Sequence, residues 1–489
     1  MYKSIIGLEI HVELNTKSKM FCGCLNDSDE KNPNVNICPI CFSHPGTLPV
    51  INQEAVRKVI KTGLALGCQI PNHSEFDRKN YFYPDLPKGY QISQQYFPLC
   101  RQGFLKIDGK KIRIRRIHLE EDTGRLVHPV GADYSLVDFN RAGVPLMELV
   151  TEPDITLAKQ ARKFAEELQL ILKYLKISGA DMEKGQMRIE VNISLTKDIK
   201  KLGTKAEIKN LNSFRSVEKA IEYEIKRQTD ILSNGKKVIQ ETRGWHDIKE
   251  ITFSQREKEQ SQDYRYFPEP DLPPLYHSKE FINGIKAEIP EIPQQKRERF
   301  KKEYNLSKTE IEIFVIYKEL GQYFEKVISE LQEWVYSIEP KIKISESEQQ
   351  KLNKLTSNYI ISDLQGLLKG MLVLDKNFCI TPENFAEFIC LIYKGKISSK
   401  IAKMILEEMF KTGADPSHII KERGLIQITD EVEIQKIIKE VISKNQNAVA
   451  DYKKGKTNAF QYLIGQIMAQ SKGKVNPEIA SKFLQKLLY

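Results

Sequence analysis

The first clear pattern in the chain is a strict alternation of apolar and polar residues near its start. The apolar positions share one face of an extended segment, and they are Ile6, Leu8, Ile10, Val12 and Leu14. The polar positions Glu9, His11 and Glu13 share the other face. This period of two predicts a strand with one buried face. Similar runs at residues 111–119, 186–194 and 205–211 predict further strands.

Residues 156–175 carry apolar side chains at helical spacing instead. The apolar stripe consists of Ala161, Phe164, Ala165, Leu168, Ile171, Leu172 and Leu175. This spacing predicts an amphipathic helix that buries the stripe. Strands and helices follow one another here without a regular βαβ rhythm. We therefore predict an α+β domain rather than a doubly wound sheet.

Two breaks divide the rest of the chain. Pro290 and Pro293 interrupt residues 287–295, and from Lys296 the pattern is helical to the end. A second break, with glycine and proline, falls at residues 411–416. We predict an α+β domain over residues 1–292, a helical domain over 293–410 and a helical tail over 411–489.

The composition agrees with a globular protein of several domains. The chain has 489 residues, of which 40% are hydrophobic and 9% aromatic, enough to build cores. Its apolar runs are far shorter than the roughly 18 residues of a membrane span, and the N-terminus lacks a signal-peptide pattern. We expect a soluble cytoplasmic protein that does not associate with membranes.

The net charge of +10 is unevenly distributed. Residues 444–489 hold eight lysines against Asp451 and Glu478, which gives a net charge of +6 in the last 46 residues. A near-neutral body with a cationic tail indicates a polyanionic partner for the tail.

Four of the eight cysteines form a cluster near the N-terminus. Cys22 and Cys24 make one pair, and Cys38 and Cys41 make a second pair. Four thiolates can hold a structural Zn²⁺, and we favour this interpretation over four free reduced thiols. His11 and Glu13 followed by Cys38 and Cys41 also approximate the zinc nucleobase deaminase pattern, although the proline follows the first cysteine instead of preceding it.

Acidic residues suggest a second kind of metal site. Glu9 and His11 share a strand face, and Glu120, Glu121, Asp122 and Glu148 occur further along the chain. Such a set could hold Mg²⁺ or Mn²⁺ against phosphate oxygens, or it could be a solvated strand face.

Two segments bear on phosphate binding. Residues 76–91 are dense in lysine, arginine, tyrosine, glycine and proline, which is typical of a loop that binds phosphate and stacks on a base, and also of a surface loop. Residues 450–457 approach a Walker A motif, but Ala450 replaces its first glycine and no strand precedes it. An ATP site, if present, is of another type.

Six long motifs identify a family. They are GLEIHV at residues 7–12, FDRKNYFYPDLPKGYQISQ at 76–94, HLEEDTG at 118–124, SLVDFNRAGVPLMELVTEPD at 135–154, EIKNLNSF at 207–214 and DYRYFPEPDLPP at 263–274. In this order they resemble the B subunits of aspartyl/glutamyl-tRNA amidotransferases. The resemblance resumes in residues 455–477 after its weakest part at 329–354.

The resemblance implies both a fold and a reaction. The fold would be a mixed-sheet α+β cradle, a helical domain and a helical tail resembling the YqeY proteins, which binds tRNA. The reaction would be the ATP-dependent amidation of Glu-tRNA(Gln), Asp-tRNA(Asn) or both, with ammonia from a glutaminase A subunit and with a small C subunit completing a heterotrimer. A non-catalytic tRNA-binding scaffold is the alternative.

The resemblance also implies roles for particular residues. Magnesium would bind at His11, Glu148 and one acid of the HLEEDTG motif, with Glu9 adjacent. Strand alternation favours Glu120 as that acid, whereas the resemblance favours Glu121. Lys79 and Lys88 would contact phosphate or the activated carboxylate, and further residues would shape the ATP pocket: Asn80, Tyr81, Tyr83, Glu207, Asn210 and Ser213. Glu190 replaces an aspartate common in the family, which leaves its role open.

Overall fold

A computed structural model describes residues 2–198, 201–257, 264–338, 345–425, 431–471, 474–475 and 477–488. The chain divides into two compact units, Met1–Pro293 and Gln294–Tyr489. Asp263 of the sixth motif above and part of the segment 455–477 lie outside the described residues.

The first unit is built on a large mixed sheet. Its strands are β1 Lys3–Glu13, β2 His73–Ser74, β3 Asp77–Asn80, β4 Tyr90–Ser93, β5 Cys100–Ile107, β6 Lys110–Glu121, β7 Arg125–Val127, β8 Leu136–Asp138, β9 Pro145–Thr151, β10 Met187–Thr196, β11 Ala206–Leu211, β12 Glu241–His246, β13 Ile251–Glu257, β14 Phe267–Pro268 and β15 Leu275–Tyr276. Eight of them form one sheet in the order β13-β12-β11-β10-β1-β9-β6-β5. Neighbours in it run antiparallel except β11 and β12, which are parallel.

Helices cover one face of this sheet. They are α1 Gln53–Ala65, α2 Ala158–Tyr174 and α3 Phe214–Ser233, and α4 Lys279–Ala287 packs beside α1. The predicted stripe of α2 is buried, as are the alternating apolar residues of β1, and all of them join one hydrophobic core. Each fully buried aliphatic side chain of this kind contributes about 1.5–3 kcal/mol. Burial of this face leaves the polar residues of the same strands on the opposite face.

Small sheets and a loop complete the first unit. Strands β14, β3 and β4 form a three-stranded sheet, and β4 packs against β6. Strand β2 pairs with β15 and β7 pairs with β8. The cysteine-containing loop follows β1 directly and ends where Asn52 caps α1 with hydrogen bonds from Glu54 and Ala55.

The second unit is helical throughout the part of it that the structure describes. Its elements are α5 Pro293–Tyr304, α6 Lys308–Ile316, α7 Lys318–Ile338, α8 Glu346–Asn358, the π-helical turn Tyr359–Leu364, α9 Gln365–Leu368, α10 Pro382–Tyr393, α11 Ser399–Thr412, α12 Pro416–Glu422, α13 Glu431–Lys444, α14 Gln446–Lys453, α15 Thr457–Gln470 and α16 Pro477–Leu488. Helices α13 to α16 share a core of their own, from Ile434 to Leu488. None of the helices in the described ranges has the length and apolarity needed to cross a membrane.

The predicted α+β class, with a helical C-terminal part, is confirmed. The predicted strands correspond to β1, β6, β10 and β11, and the predicted helix corresponds to α2. The break at 411–416 is real: Gly413 ends α11 with a left-handed backbone (φ 70°) and Asp415 caps α12. Helix α5 begins at Pro293, three residues before the predicted start. The division into three domains stays a prediction; α12 packs against α10 and α11, whereas the separate core begins in α13.

Candidate active site on the polar face of the sheet

Strand register brings polar residues from four strands into a row on the face of the sheet opposite the helices. In the central row, His118 of β6 lies opposite Glu148 of β9, Glu148 lies opposite His11 of β1, and His11 lies opposite Arg188 of β10. Directly opposed residues of antiparallel strands point to the same side. A neighbouring row places Glu9 opposite Glu190. We call this surface the polar face.

Two imidazoles and two carboxylates meet at the centre of the polar face. The His11 Nε2 atom lies 3.4 Å from a Glu148 oxygen and 3.6 Å from a Glu120 oxygen. The His118 Nε2 atom lies 3.2 Å and 3.6 Å from the same two carboxylates. Ligand atoms of His11, Glu120 and Glu148 all lie within 4.8 Å of one another. One imidazole and two carboxylates at this spacing suit Mg²⁺ or Mn²⁺.

The carboxylates control the protonation of both histidines. Burial alone would lower the pKa of His11, but its hydrogen bond with Glu148 and the charges of Glu148 and Glu120 raise it to about 9. Burial opposes the charge on His118 as well, and Glu148 outweighs it, so the pKa of His118 is also raised. Despite burial, the pKa of Glu148 is held well below its usual range by His118 and His11. Without metal, the cluster therefore holds protons that a cation would have to displace from His11.

The structure separates the two acids that the sequence left as alternatives. Glu120 belongs to the His11 and Glu148 cluster. The Glu121 carboxylate points to the other side of β6, where it accepts hydrogen bonds from Lys88 Nζ at 2.7 Å and from the Ile92 backbone N–H at 3.1 Å. The alternation of β6 thus placed Glu120 correctly on the polar face, and Glu121 does not join the cluster in this structure. Which of the two acids binds a cation stays a prediction.

The two predicted lysines also occupy different places. Lys79 Nζ lies 4.9 Å from the ring centre of Tyr264 and 5.8 Å from that of Tyr81. Burial opposes its charge, but Glu120, Tyr266 and Glu148 outweigh burial and raise the pKa of Lys79. Lys79 thus carries a positive charge beside the cluster. Lys88 is paired with Glu121 instead, and it lines a cavity shared with Cys22 and Cys41.

A second acidic cluster lies on the same face. Ligand oxygens of Glu9, Glu190 and Glu207 come within 4.8 Å of one another. Lys209 Nζ lies 3.1 Å from Glu190 and 3.2 Å from Glu207, and the Asn192 amide donates to Glu9 at 3.0 Å. Burial raises the pKa of Glu190. The longer acid at position 190 therefore still reaches the polar face, where the three acids could hold a cation.

The remaining predicted pocket residues have diverse surroundings. Asn80 donates from its amide to the Arg265 carbonyl at 2.7 Å, which ties the segment after Tyr264 to β3. Burial raises the pKa of Tyr81, whose ring packs edge-on against Tyr264, whereas Tyr83 is 60% exposed. Asn210 is exposed on β11 with a left-handed backbone (φ 62°). Ser213 caps α3 by accepting a hydrogen bond from the Ser216 N–H.

The four clustered cysteines converge on one another. Their sulfur atoms lie within 4.8 Å of each other, and two of the separations, Cys24–Cys41 and Cys38–Cys41, are 4.0 and 3.9 Å. Sulfurs around a tetrahedral zinc would be about 3.8 Å apart, given Zn–S bonds of about 2.3 Å. Hydrogen bonding with Cys22 lowers the pKa of the Cys41 thiol, and the fully buried Lys19 ammonium lies 3.8 Å from its sulfur. The residues fit a structural Zn²⁺.

The zinc deaminase interpretation does not fit this arrangement. It requires His11 to share a metal with Cys38 and Cys41. In the structure the four cysteines form one cluster, and His11 belongs to another cluster with Glu120 and Glu148.

Comparison with known proteins identifies the family. The family model described as the GatB/GatE catalytic domain matches residues 4–283. The B subunit of the aspartyl/glutamyl-tRNA(Asn/Gln) amidotransferase from Thermotoga neapolitana is 47% identical over 496 residues, covering 100% of this chain and 99% of the relative. This chain belongs to the GatB/GatE family.

Other comparisons agree with this membership. The family model described as the GatB domain matches residues 343–488. The proteins of the same name from Persephonella marina and Caldicellulosiruptor bescii are 47% and 46% identical, each over 100% of this chain and 99% of the relative. The resemblance found from the motifs is therefore confirmed.

Sequence reasoning assigned no role to several residues that the structure places beside the cluster of this GatB/GatE chain. They are Arg188, Lys209 and Tyr266. His118 shares a strand face with Glu120, as the alternation of β6 predicts. Arg188 and Lys209 depend on the pairing of strands far apart in sequence, and no local signal reveals that pairing.

Proposed function

We propose that this protein is the transamidating component of a tRNA-dependent amidotransferase, a ligase that forms a carbon–nitrogen bond with glutamine as amide donor. It would convert Glu-tRNA(Gln), Asp-tRNA(Asn) or both into the amidated form with ATP. The observation that carries the proposal is the His11, Glu120 and Glu148 cluster beside the Lys79 ammonium in a GatB/GatE chain. The names of its relatives support the tRNA-dependent amidation.

The chemistry requires activation before amidation. A carboxylate oxygen is a very poor leaving group, so ammonia cannot displace it directly. In the proposed first step the substrate carboxylate oxygen attacks the γ-phosphorus of ATP, and the bond to the β-phosphate oxygen breaks to release ADP. In the second step the ammonia nitrogen attacks the acyl carbon, inorganic phosphate leaves with the C–O electron pair, and the nitrogen loses a proton. Such reactions depend on positioning and charge stabilisation more than on a protein nucleophile.

The residues of the polar face have roles that suit these steps. His11, Glu120 and Glu148 would hold the cation, which when bound neutralises phosphate charge. Lys79 would bind a phosphoryl oxygen. His118 would position Glu120 and Glu148 through its contacts with both carboxylates. The rings of Tyr81 and Tyr264 lie beside the Lys79 ammonium. Glu9, Glu190 and Glu207 would attract a second cation.

The proposal includes partners and a location. A glutaminase A subunit would supply ammonia, and a small C subunit would complete a heterotrimer, which agrees with the names of the relatives, since these describe one component of a larger enzyme. We place the complex in the cytoplasm. The cationic tail would bind the tRNA, and the cysteine loop would hold a structural Zn²⁺ that takes no part in the chemistry.

The proposal is tested with the assembled complex, misacylated tRNA, ammonium chloride, ATP and Mg²⁺. We expect ADP release coupled to formation of the amidated tRNA. His11→Ala should lower kcat by about 100-fold or more, because it removes a metal ligand. Arg113→Gln, which alters an exposed pair with Asp154, is the matched control and should leave kcat unchanged.

The scaffold alternative makes the opposite prediction. If the chain only binds tRNA, His11→Ala should leave kcat undiminished while truncation of the tail abolishes activity. That result would overturn the proposed kinase and transamidase role.

A further inference from the structure

Arg188 is a positive charge that the strand register places at the reacting centre. It lies directly opposite His11 across the β1–β10 pair. Both side chains are on the polar face, in the same row as Glu148. Asp122 contacts the guanidinium, and the charges of Glu13 and Glu120 also act on it.

A buried carboxylate fixes the guanidinium from one side. Arg188 Nη2 donates to Asp122 Oδ2 at 2.6 Å, and Asp122 is only 4% exposed. Arg141 approaches the same oxygen at 3.4 Å, but its own Nε and Nη2 donate to the Thr123 and Gly124 carbonyls. Arg141 is therefore held mainly by the loop after β6. Asp122 orients Arg188 through their hydrogen bond.

Arg188 keeps unused donor capacity despite this contact. Its Nε has no hydrogen-bond partner among the described residues, although that atom is buried. About 40% of its side-chain surface is exposed. A guanidinium has five N–H donors, and the structure accounts for one strong contact. A buried donor left unpaired costs about 1–3 kcal/mol, so a ligand that satisfies it would be favoured.

The proposed reaction has a charge problem that Arg188 would solve. An anionic carboxylate must approach ATP next to Glu120 and Glu148, and this approach is repulsive. Lys79 is a point charge on the β3 side of the cluster. Arg188 lies on the β10 side, and its planar fork can bind two oxygens of a carboxylate at once.

We propose that Arg188 is a substrate-binding residue that holds the side-chain carboxylate of the aminoacyl group, and then the phosphoryl oxygens of the acyl phosphate, with Asp122 as its positioning residue. This inference rests on the proposed function. The alternative is that Arg188 only neutralises Asp122 and contributes to stability.

The two roles are separated by kinetics of the full complex with saturating ammonium. Arg188→Gln should lower kcat/KM for the misacylated tRNA by about 100–1,000-fold, the usual cost of a lost charge-stabilising donor. Arg188→Lys keeps the charge and the contact with Asp122 but loses the fork, and it should recover only part of that loss. Guanidinium chloride should partly restore Arg188→Ala. The KM for ATP should change much less than the KM for the tRNA.

Asp122→Asn tests the positioning role. It should raise the KM for the misacylated tRNA with a smaller loss in kcat than Arg188→Gln, since the guanidinium remains but is no longer fixed. Arg113→Gln, in an exposed arginine–aspartate pair of β6, serves as the control in every assay.

The outcomes also distinguish this inference from the proposed function. A wild-type complex without ATP-dependent amidation would overturn the proposed function itself. An active wild type together with normal kcat and KM values in Arg188→Gln and Arg188→Lys, whatever their melting temperatures, would overturn only the role of Arg188. Arg188 would contribute to stability alone if Arg188→Gln and Arg188→Lys lost kcat/KM equally, guanidinium did not restore Arg188→Ala, and the melting temperature fell.

Discussion

At the scale of single residues, the proton on His11 competes with the cation that the same imidazole would bind. The pKa of His11 rises from 6.5 to about 9 in the folded chain without metal. The bound proton therefore adds stability below pH 6.5, and this contribution is lost as the pH rises through about 9. Metal binding must release the proton.

We accordingly expect Mn²⁺ affinity to tighten by about tenfold per pH unit between pH 6.5 and 9 and then to level off. Electron paramagnetic resonance of free Mn²⁺ during titrations at several pH values measures this directly. His11→Gln should weaken the pH dependence, leaving only the contribution of the neighbouring His118. An affinity that is constant from pH 6.5 to 9 in the wild type would contradict the assignment of His11 as a ligand.

The separation of Glu120 from Glu121 gives a second prediction at this scale. Glu120→Gln should lower kcat by about 100-fold or more, because it removes a charged ligand beside His11. Glu121→Gln should keep kcat within about tenfold and instead lower stability by about 1–3 kcal/mol, because Lys88 loses its buried partner. Steady-state kinetics and urea unfolding distinguish them. The reverse pattern would restore Glu121 as the ligand.

At the scale of elements, the cysteine loop has too little regular structure to hold its shape by backbone pairing. It joins β1 to α1, and its four sulfurs converge beside the buried Lys19. Metal bonds would therefore provide much of its stability.

We expect one equivalent of zinc in freshly purified reduced protein. Cys38→Ser should lower the melting temperature by about 5 °C or more while kcat stays within about twofold. Cys379→Ser, at an exposed cysteine outside the cluster, should change neither. Inductively coupled plasma mass spectrometry and thermal unfolding provide the measurements. Well under one equivalent of zinc, or a kcat lost with Cys38, would count against a structural site.

At the scale of the whole molecule, the cationic tail carries positive charge and also packs into a hydrophobic core. The charge count begins at Lys444, but Ile434, Ile438 and Val441 of α13 belong to the same core as α15 and α16. A truncation at Lys444 would expose this core. The tail is better removed after Leu425, before α13.

A groove of about 850 Å³ in the tail is lined by Lys444, Lys456 and Tyr462, among others.

The tail charge predicts a salt-dependent contribution to tRNA binding. Replacing Lys453, Lys454 and Lys456 by glutamine should reduce the slope of log affinity against log salt by up to about 3, since fewer counterions are released. The matched control replaces Lys301, Lys302 and Lys308, three exposed lysines of α5 and α6. Filter binding at several salt concentrations measures both slopes. An unchanged slope in the triple variant would exclude these lysines from the tRNA contact.

The sequence alone determined the family, four long strands of the large sheet and the helix α2. The alternation of β1 and the apolar stripe of α2 show which side of each segment is buried, because buried side chains recur with the period of the element. The four cysteines could be grouped because they lie close together in the chain. The tertiary structure alone decided the layout of the site. Cross-strand register places His11, Glu148 and Arg188 in one row although long stretches of sequence separate them. The step from Glu120 to Glu121 reverses the face of β6, so local alternation already turns Glu121 away from that row. Only the fold brings Lys88, which lies in the turn before β4, into contact with Glu121.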